Sequence, residues 1–83
     1  MYHGLSSQKK RVGLKESRRA IKEGQAQFCY VAKDADKDII YGMGQLCTVA
    51  GVPTDMTHTM EELGNACGID VKAAVVTILK EDK

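Results

Sequence analysis

Residues 71–79 read VKAAVVTIL, a run that would place β-branched or apolar residues on both faces of a strand. A strand with one face in water alternates polar and apolar residues, whereas a strand covered on both faces is nearly continuously apolar. The run therefore predicts a strand over 71–79 inside a sheet that is covered on both sides. A second run, QFCYVA at 27–32, predicts a buried partner strand.

Three helical segments separate these strands. The first covers 14–23, with apolar residues on one face, and the second covers about 36–49. The third begins at Thr59, where T-M-E-E forms a capping box, and ends before Gly68. Helices that alternate with strands predict an α/β domain with helices on both faces of a mixed sheet.

Two weaker strands complete the predicted fold, one around residues 11–12 and one over 52–56, where Pro53 favours a sheet edge. The sequence shows no repeat or linker, so we predict a single domain over 1–83 with a four-stranded sheet. The ends, 1–8 and 80–83, are expected to fray.

The bases are unevenly distributed, although the formal net charge is only +1. Residues 1–24 carry seven Lys and Arg against two Glu, a balance of +5, and residues 25–83 carry five Lys against nine acids, a balance of −4. Every arginine lies in the first part. This split predicts a local anionic partner. A solvated basic helix face would have the same composition.

Several chemistries are disfavoured by the motifs. The three cysteines form no C-x-x-C pair, which argues against a zinc knuckle and favours buried free thiols. The acids at 34–38 imitate a calcium loop, but Ile39 stands where the loop needs Gly and Gln45 where it needs Glu. No nucleotide fingerprint or motif-placed nucleophile occurs. We therefore expect no metal, no cofactor and no enzymatic activity.

The helix over 14–23 is entered through Gly13, which allows close backbone approach to a phosphate at the helix N-terminus. Lys15 and Arg19 point together as i, i+4 neighbours. Glu16 among the bases suits a surface that also reads donor groups on base edges. An i, i+3 or i, i+4 ion pair on the helix would account for Glu16 equally well.

The segment GIDV at 68–71 follows the third helix and carries two branched apolar residues, Ile69 and Val71. They could begin the last strand. Alternatively they form an exposed apolar loop against which an unstacked base lies, as is common in RNA recognition. In the second case, alanine at either position should weaken RNA binding with little loss of fold.

The motifs ELGNACGIDVKAA (62–74), VAKDAD (31–36) and GLKESRRAIKEG (13–24) together resemble the kink-turn-binding ribosomal proteins of the archaeal L7Ae type. The likeness spans about residues 8–80, and the Lys at position 15 and the short chain resemble the small bacterial members. The resemblance implies a three-layer α-β-α sandwich that binds RNA kink-turns without catalysis.

The resemblance also implies roles for individual residues. Gly13, Lys15, Glu16 and Arg19 would contact the guanines of tandem sheared G·A pairs and nearby phosphates. Ile69, Asp70 and Val71 would pack on the extruded nucleotide. Lys22 and Lys72 are expected to make further phosphate contacts. Arg18 is a base where the family is often neutral, so it contacts either a phosphate or nothing.

Two other functions remain open from the sequence. The protein could be a structural component of the ribosome that does not bind free kink-turns, or a protein–protein adaptor on the same fold. No apolar run has the length of a membrane span or a signal peptide, so we expect a cytoplasmic protein. We also expect a monomer, although no pattern in the sequence indicates the oligomeric state.

Overall fold

The computed structural model describes residues 9–80, which form a four-stranded sheet and three helices. In chain order the elements are β1 (Lys10–Val12), α1 (Leu14–Lys22), β2 (Ala26–Val31), α2 (Lys37–Ala50), β3 (Thr54–Asp55), α3 (Met60–Ala66) and β4 (Val75–Leu79). The strand order is β1-β4-β2-β3. Strand β4 runs antiparallel to both of its neighbours, and β2 and β3 are parallel. The mixed α/β sheet predicted from the sequence is confirmed.

The two faces of the sheet bury alternate residues of the same strands. On one face, Cys29 and Val75 pack with side chains of α1 and α2, including Met43. On the other face, Val76 packs with α3 through Leu63. All five residues of β4 are buried, as the apolar character of both its faces predicts. The result is a three-layer sandwich with α1 and α2 on one side and α3 on the other.

Strand β4 begins at Val75, so the predicted start at residue 71 is wrong. The N–H of Ala73 donates to the Met60 carbonyl oxygen of α3 at 3.1 Å, which turns this backbone group away from the sheet. Residues 71–74 are therefore a loop between α3 and the sheet. Strand β3 is also shorter than the predicted 52–56.

The predicted frayed ends, 1–8 and 80–83, lie outside the described residues except for Lys80. The backbone N–H of Lys80 donates to the Gln25 carbonyl oxygen at 2.9 Å, which extends the pairing beyond the end of β4.

Helix α3 is fixed at its start by two acids. The Thr59 hydroxyl accepts from the Glu62 N–H at 3.1 Å, and the Glu62 carboxylate accepts from the Thr59 N–H at 2.9 Å. This confirms the capping box. The Asp34 carboxylate accepts from the Met60 N–H at 2.8 Å. Asp34 therefore helps to cap α3, which gives a structural role to an acid that resembles a calcium ligand in the sequence.

Thr59→Ala is expected to lower the free energy of unfolding by about 1 kcal/mol, because it removes the cap from the first turn of α3. The hydrogen bond from Thr59 holds the pKa of Glu62 below its ordinary value. A carboxyl with a depressed pKa stabilises the fold above its unfolded pKa, and that stabilisation is lost as the pH falls through the folded pKa.

Urea unfolding of the wild type and the Thr59 variant at pH 7 and near pH 3 measures both effects. Both proteins should lose stability at the lower pH, because alanine keeps the backbone N–H that the Glu62 carboxylate accepts from. The difference between them should stay about the same, because the bond that the variant loses runs from the Glu62 N–H to the Thr59 hydroxyl and does not depend on the carboxylate. A difference that vanished at either pH would contradict the hydroxyl cap.

Candidate nucleic-acid interface

A backbone hydrogen bond joins the start of α1 to the first residue of β4, which lies four residues after the segment 68–71. The N–H of Gly13 donates to the Val75 carbonyl oxygen at 2.8 Å, and Val12 is the register partner of Val76. Val71 is four residues before Val75, a length of chain that spans at most about 14 Å. The start of α1 and the loop before β4 therefore lie at the same edge of the sheet.

Gly13 has a backbone conformation that favours glycine, with φ of 108° and ψ of 159°. It has no side chain to cap the helix, so the first-turn amides of α1 face outward without a side-chain acceptor. Free amides at a helix N-terminus carry partial positive charge and attract phosphate. Lys15 and Glu16 are exposed in the same turn. This end of α1 can therefore hold an anion and accept a hydrogen bond beside it.

The other bases of α1 lie on two different flanks. Arg19 forms an ion pair with Glu23, one turn further along, at 3.5 Å from Nε to Oε2. Its partner is therefore not Glu16. Arg18 and Lys22 line a cavity of about 300 Å³ between α1 and α2, together with Asp38. The structure brings Gly13, Lys15 and Glu16 together and turns Arg18 and Lys22 towards α2.

The segment 68–71 begins with a Schellman motif at the end of α3. Gly68 has a φ of 76° and donates its N–H to the Asn65 carbonyl oxygen at 3.0 Å. The Ile69 N–H donates to the Gly64 carbonyl oxygen at 3.1 Å. This pair of bonds defines the motif, which commonly includes an apolar contact from the residue after the glycine back to the helix. Ile69 makes such a contact with the cluster around Leu63.

The three residues that follow Ile69 are exposed. Val71 is 67% exposed, and Asp70 and Lys72 are exposed beside it. Ile69 and Val71 therefore do not begin the last strand, and the exposed-loop alternative describes Val71. It describes Ile69 only in part, because Ile69 is half-buried against α3.

Ile69→Ala and Val71→Ala should now differ, which corrects the expectation that both leave the fold intact. Removing the half-buried Ile69 side chain should destabilise the protein by about 1–2 kcal/mol, a fraction of the cost at a fully buried site. Val71→Ala should change stability by less than about 0.5 kcal/mol, because the side chain is exposed. Thermal melts of the two variants measure the difference. Equal losses would show that Val71 also packs against the fold.

Gly64 is a residue of this region that the sequence did not reveal as important. A Cβ at this position would overlap the Val71 carbonyl oxygen, lie 3.2 Å from its carbonyl carbon, and lie 3.4 Å from Lys72 Cα. Helix α3 can therefore approach the loop closely only with glycine here. The signal in the sequence was a glycine inside a seven-residue helix, four residues before the glycine that ends it.

The cysteines are buried free thiols, as predicted. Burial, together with the neighbouring Cys47, raises the pKa of Cys29 to about 12, so this thiol is protonated and unreactive at neutral pH. Among residues 9–80, no group of three His, Cys, Asp or Glu side chains is arranged to hold a metal ion. In the same part of the chain, no helix combines the length and apolar character that crossing a membrane requires.

A three-layer α/β domain whose basic helix N-terminus and exposed apolar loop meet at one edge has the features of an RNA-binding domain. Comparison with known proteins agrees with this class. Residues 4–83 match the family model described as Ribosomal protein L7Ae/L30e/S12e/Gadd45 family.

Two bacterial relatives are similar along most of the chain. The chain is 44% identical over 69 residues to the RNA-binding protein YbxF of Geobacillus stearothermophilus, a match that covers 83% of this chain and 84% of the relative. It is 42% identical over 76 residues to an RNA-binding protein of Geobacillus sp. (strain WCH70), which covers 92% and 93% of the two chains.

A solved structure of the 15.5kD RNA binding protein of Giardia lamblia superimposes with a TM-score of 0.85 at 32% identity. The match covers 98% of this chain and 68% of that one. The chain belongs to the Ribosomal protein L7Ae/L30e/S12e/Gadd45 family, and it is an RNA-binding member of that family.

Proposed function

We propose that the protein recognises and stabilises kink-turn RNA and that it carries out no catalysis. The observation that carries the proposal is the hydrogen bond from Gly13 to Val75. It ties the N-terminus of α1 to the start of β4, four residues after the exposed Val71, which supports a shared surface for the two segments. A kink-turn offers both complements in one place, a concentration of phosphates and an extruded base.

The roles at the helix start follow from charge and hydrogen-bonding capacity. The amides of α1 and the ammonium group of Lys15 would contact phosphates and the acceptor atoms of guanine. The carboxylate of Glu16 would accept from a guanine amino or imino group. Arg19 would join them by exchanging its exposed pair with Glu23 for RNA, since such a surface pair is worth only about 0.3–0.5 kcal/mol.

The loop would hold the extruded nucleotide. Val71, with Ile69 behind it, provides an apolar surface for the face of a base, and Asp70 can accept from its edge. Lys72, which is exposed, would contact a phosphate. Arg18 and Lys22 lie on the flank towards α2 and would contribute to the electrostatic field more than to specific contacts.

The test compares a kink-turn duplex with a straight duplex of the same length and base composition. The wild type should bind the kink-turn at least about 10³-fold more tightly, which is the lower end of the specificity that recognition domains show. The affinity should fall with rising salt, because bound phosphates release counterions. Equal affinity for the two duplexes would rule out kink-turn recognition.

A second candidate function, protein–protein adaptor, is favoured by one surface. The outer face of α2 and Met56 of the β3 edge line an apolar cavity of about 660 Å³, with Tyr41 70% exposed and Val49 86% exposed. Exposed apolar patches on small proteins often mark interaction sites. Val49→Asp should leave the RNA titration unchanged in either case. If this face is a docking surface, Val49→Asp should abolish the binding of a protein partner that remains bound to the wild type after RNase treatment.

A role confined to the ribosome makes a different prediction. The protein would then co-sediment with ribosomal subunits and show no preference for a free kink-turn. We propose that it acts as a cytoplasmic monomer on free structured RNA, and the same titration with purified protein separates the two cases.

A further inference from the structure

A basic surface continues from the start of α1 along the outer flank of the molecule. A cavity of about 340 Å³ is lined by Arg11, Glu16, Arg19 and Glu23. A second cavity of about 580 Å³ lies beyond it, where β1 begins and β4 ends, and it is lined by Lys9, Lys10, Arg11 and Lys80. Arg11 and Gln25 line both cavities, so the two are adjacent, and together we call them the groove.

Charge is distributed unequally along this groove. In the first cavity two acids accompany two arginines, and one of the acids is paired with Arg19. The second cavity is lined by Lys9, Arg11 and Lys80 and, among the described residues, by no acid. Lys10 also borders it, but Lys10 alternates with Arg11 along β1, so its side chain lies on the α3 side, where its charge acts on Cys67. Among residues 9–80 the groove is therefore more basic in its second cavity than in its first; the next residues in the sequence are Glu81, Asp82 and Lys83.

The length of the groove suits a duplex better than a single phosphate. Helix α1 has nine residues and extends about 14 Å at 1.5 Å per residue. The bases of the second cavity extend the surface further, towards the opposite edge of a molecule 33 × 28 × 20 Å in size. Cations along a mostly polar surface that has no aromatic side chain among its lining residues complement a phosphate backbone, which carries charge at regular intervals.

We propose that this groove binds the phosphate backbone of one RNA stem that leaves the kink. The proposal rests on the proposed function, because the kink fixes where the stem begins. Arg11 and Lys80 are the residues of the groove that would contact the stem without contacting the kink. Their contacts are sequence-independent, so they add affinity and salt dependence without base discrimination.

The test uses two kink-turn RNAs that differ only in one stem. In the first RNA this stem ends just beyond the G·A pairs, and in the second it continues for about one helical turn. We expect the wild type to bind the long-stem RNA about tenfold more tightly, with a plot of log affinity against log salt that is steeper by about two units. Repeating the extension on the other stem identifies which of the two lies in the groove.

The variant Arg11→Gln, Lys80→Gln should bind both RNAs with the short-stem affinity of the wild type. Lys80→Gln alone should remove part of the advantage of the long stem, and it changes a side chain outside β4, so the fold is preserved. The control Lys33→Gln changes a base whose field acts on Glu62 of α3, on the other side of the sheet. It should leave the ratio of the two affinities unchanged.

The outcomes separate the two proposals. If the wild type prefers kinked over straight RNA but binds the long and short stems equally, the stem contact is wrong and kink recognition stands. An equal loss for both RNAs in the double variant would also overturn the stem contact. If kinked and straight duplexes bind alike, the proposed function fails and the stem contact fails with it.

Discussion

Gly64→Ala is expected to lower the melting temperature by about 4–24 °C. The new methyl group would overlap the Val71 carbonyl oxygen, so α3 and the loop must separate. Overpacking of this kind costs about 1–3 kcal/mol, and in a domain of this size each kcal/mol corresponds to about 4–8 °C. The atom in the way belongs to the backbone and cannot rotate aside.

The same variant should lose RNA affinity beyond what its lower stability explains. The carbonyl oxygen of Gly64 accepts from Ile69, and Ala73 donates to Met60, so moving the loop disturbs both bonds that set its path. RNA titration at 10 °C, where the variant should remain mostly folded, measures this loss separately from unfolding. Gly64 thus acts as a positioning residue for the exposed Val71.

Gly42→Ala is the matched control. Gly42 also lies inside a helix and is exposed, and apart from its chain neighbours and the adjacent backbone of its own helix, no atom comes within 4 Å of where its Cβ would be. Alanine here should raise the free energy of unfolding by about 0.5–1 kcal/mol, because glycine loses more backbone entropy in a helix. RNA affinity should not change. A Gly64 variant that melts as high as the Gly42 variant would show that the close approach in α3 is not tight.

The layer arrangement could be predicted from the sequence because it follows from local patterns. The apolar character of both faces of VVTIL requires cover on both sides of the sheet, and the capping box at Thr59 fixes the start of α3. The start of β4 could not be predicted, since VKAA at 71–74 suits a strand. The strand starts only at Val75 because the Ala73 N–H donates to α3 and not to a neighbouring strand, and no local sequence pattern encodes that contact.

The candidate site was predictable in composition and not in arrangement. The sequence identifies Gly13 and the bases of α1, but helical spacing alone cannot say that Arg18 and Lys22 border α2. The contact between Gly13 and Val75 joins residues 62 positions apart in the chain. The requirement for glycine at position 64 likewise depends on how the loop returns to the sheet.

Lys15→Ala is expected to weaken specific RNA binding by about 1–3 kcal/mol and to leave the protein as stable or slightly more stable. Lys15 lies in the first turn of α1, where the positive end of the helix dipole disfavours a cation by about 0.3–1 kcal/mol. The exposed side chain forms no salt bridge within residues 9–80 that would offset this cost. A base that opposes the stability of its own helix is best explained by an external anion.

Lys22→Ala provides the opposite case on the same helix. Lys22 lies in the last turn, where the dipole favours a cation, so its removal should lower stability by a few tenths of a kcal/mol. Its position beside α2 should make the loss of specific RNA affinity smaller than at Lys15. Melting curves should therefore show the larger loss of stability for the Lys22 variant, and kink-turn titrations should show the larger loss of affinity for the Lys15 variant. A Lys15 variant that lost stability and affinity together would indicate that this base supports the helix and does not bind RNA.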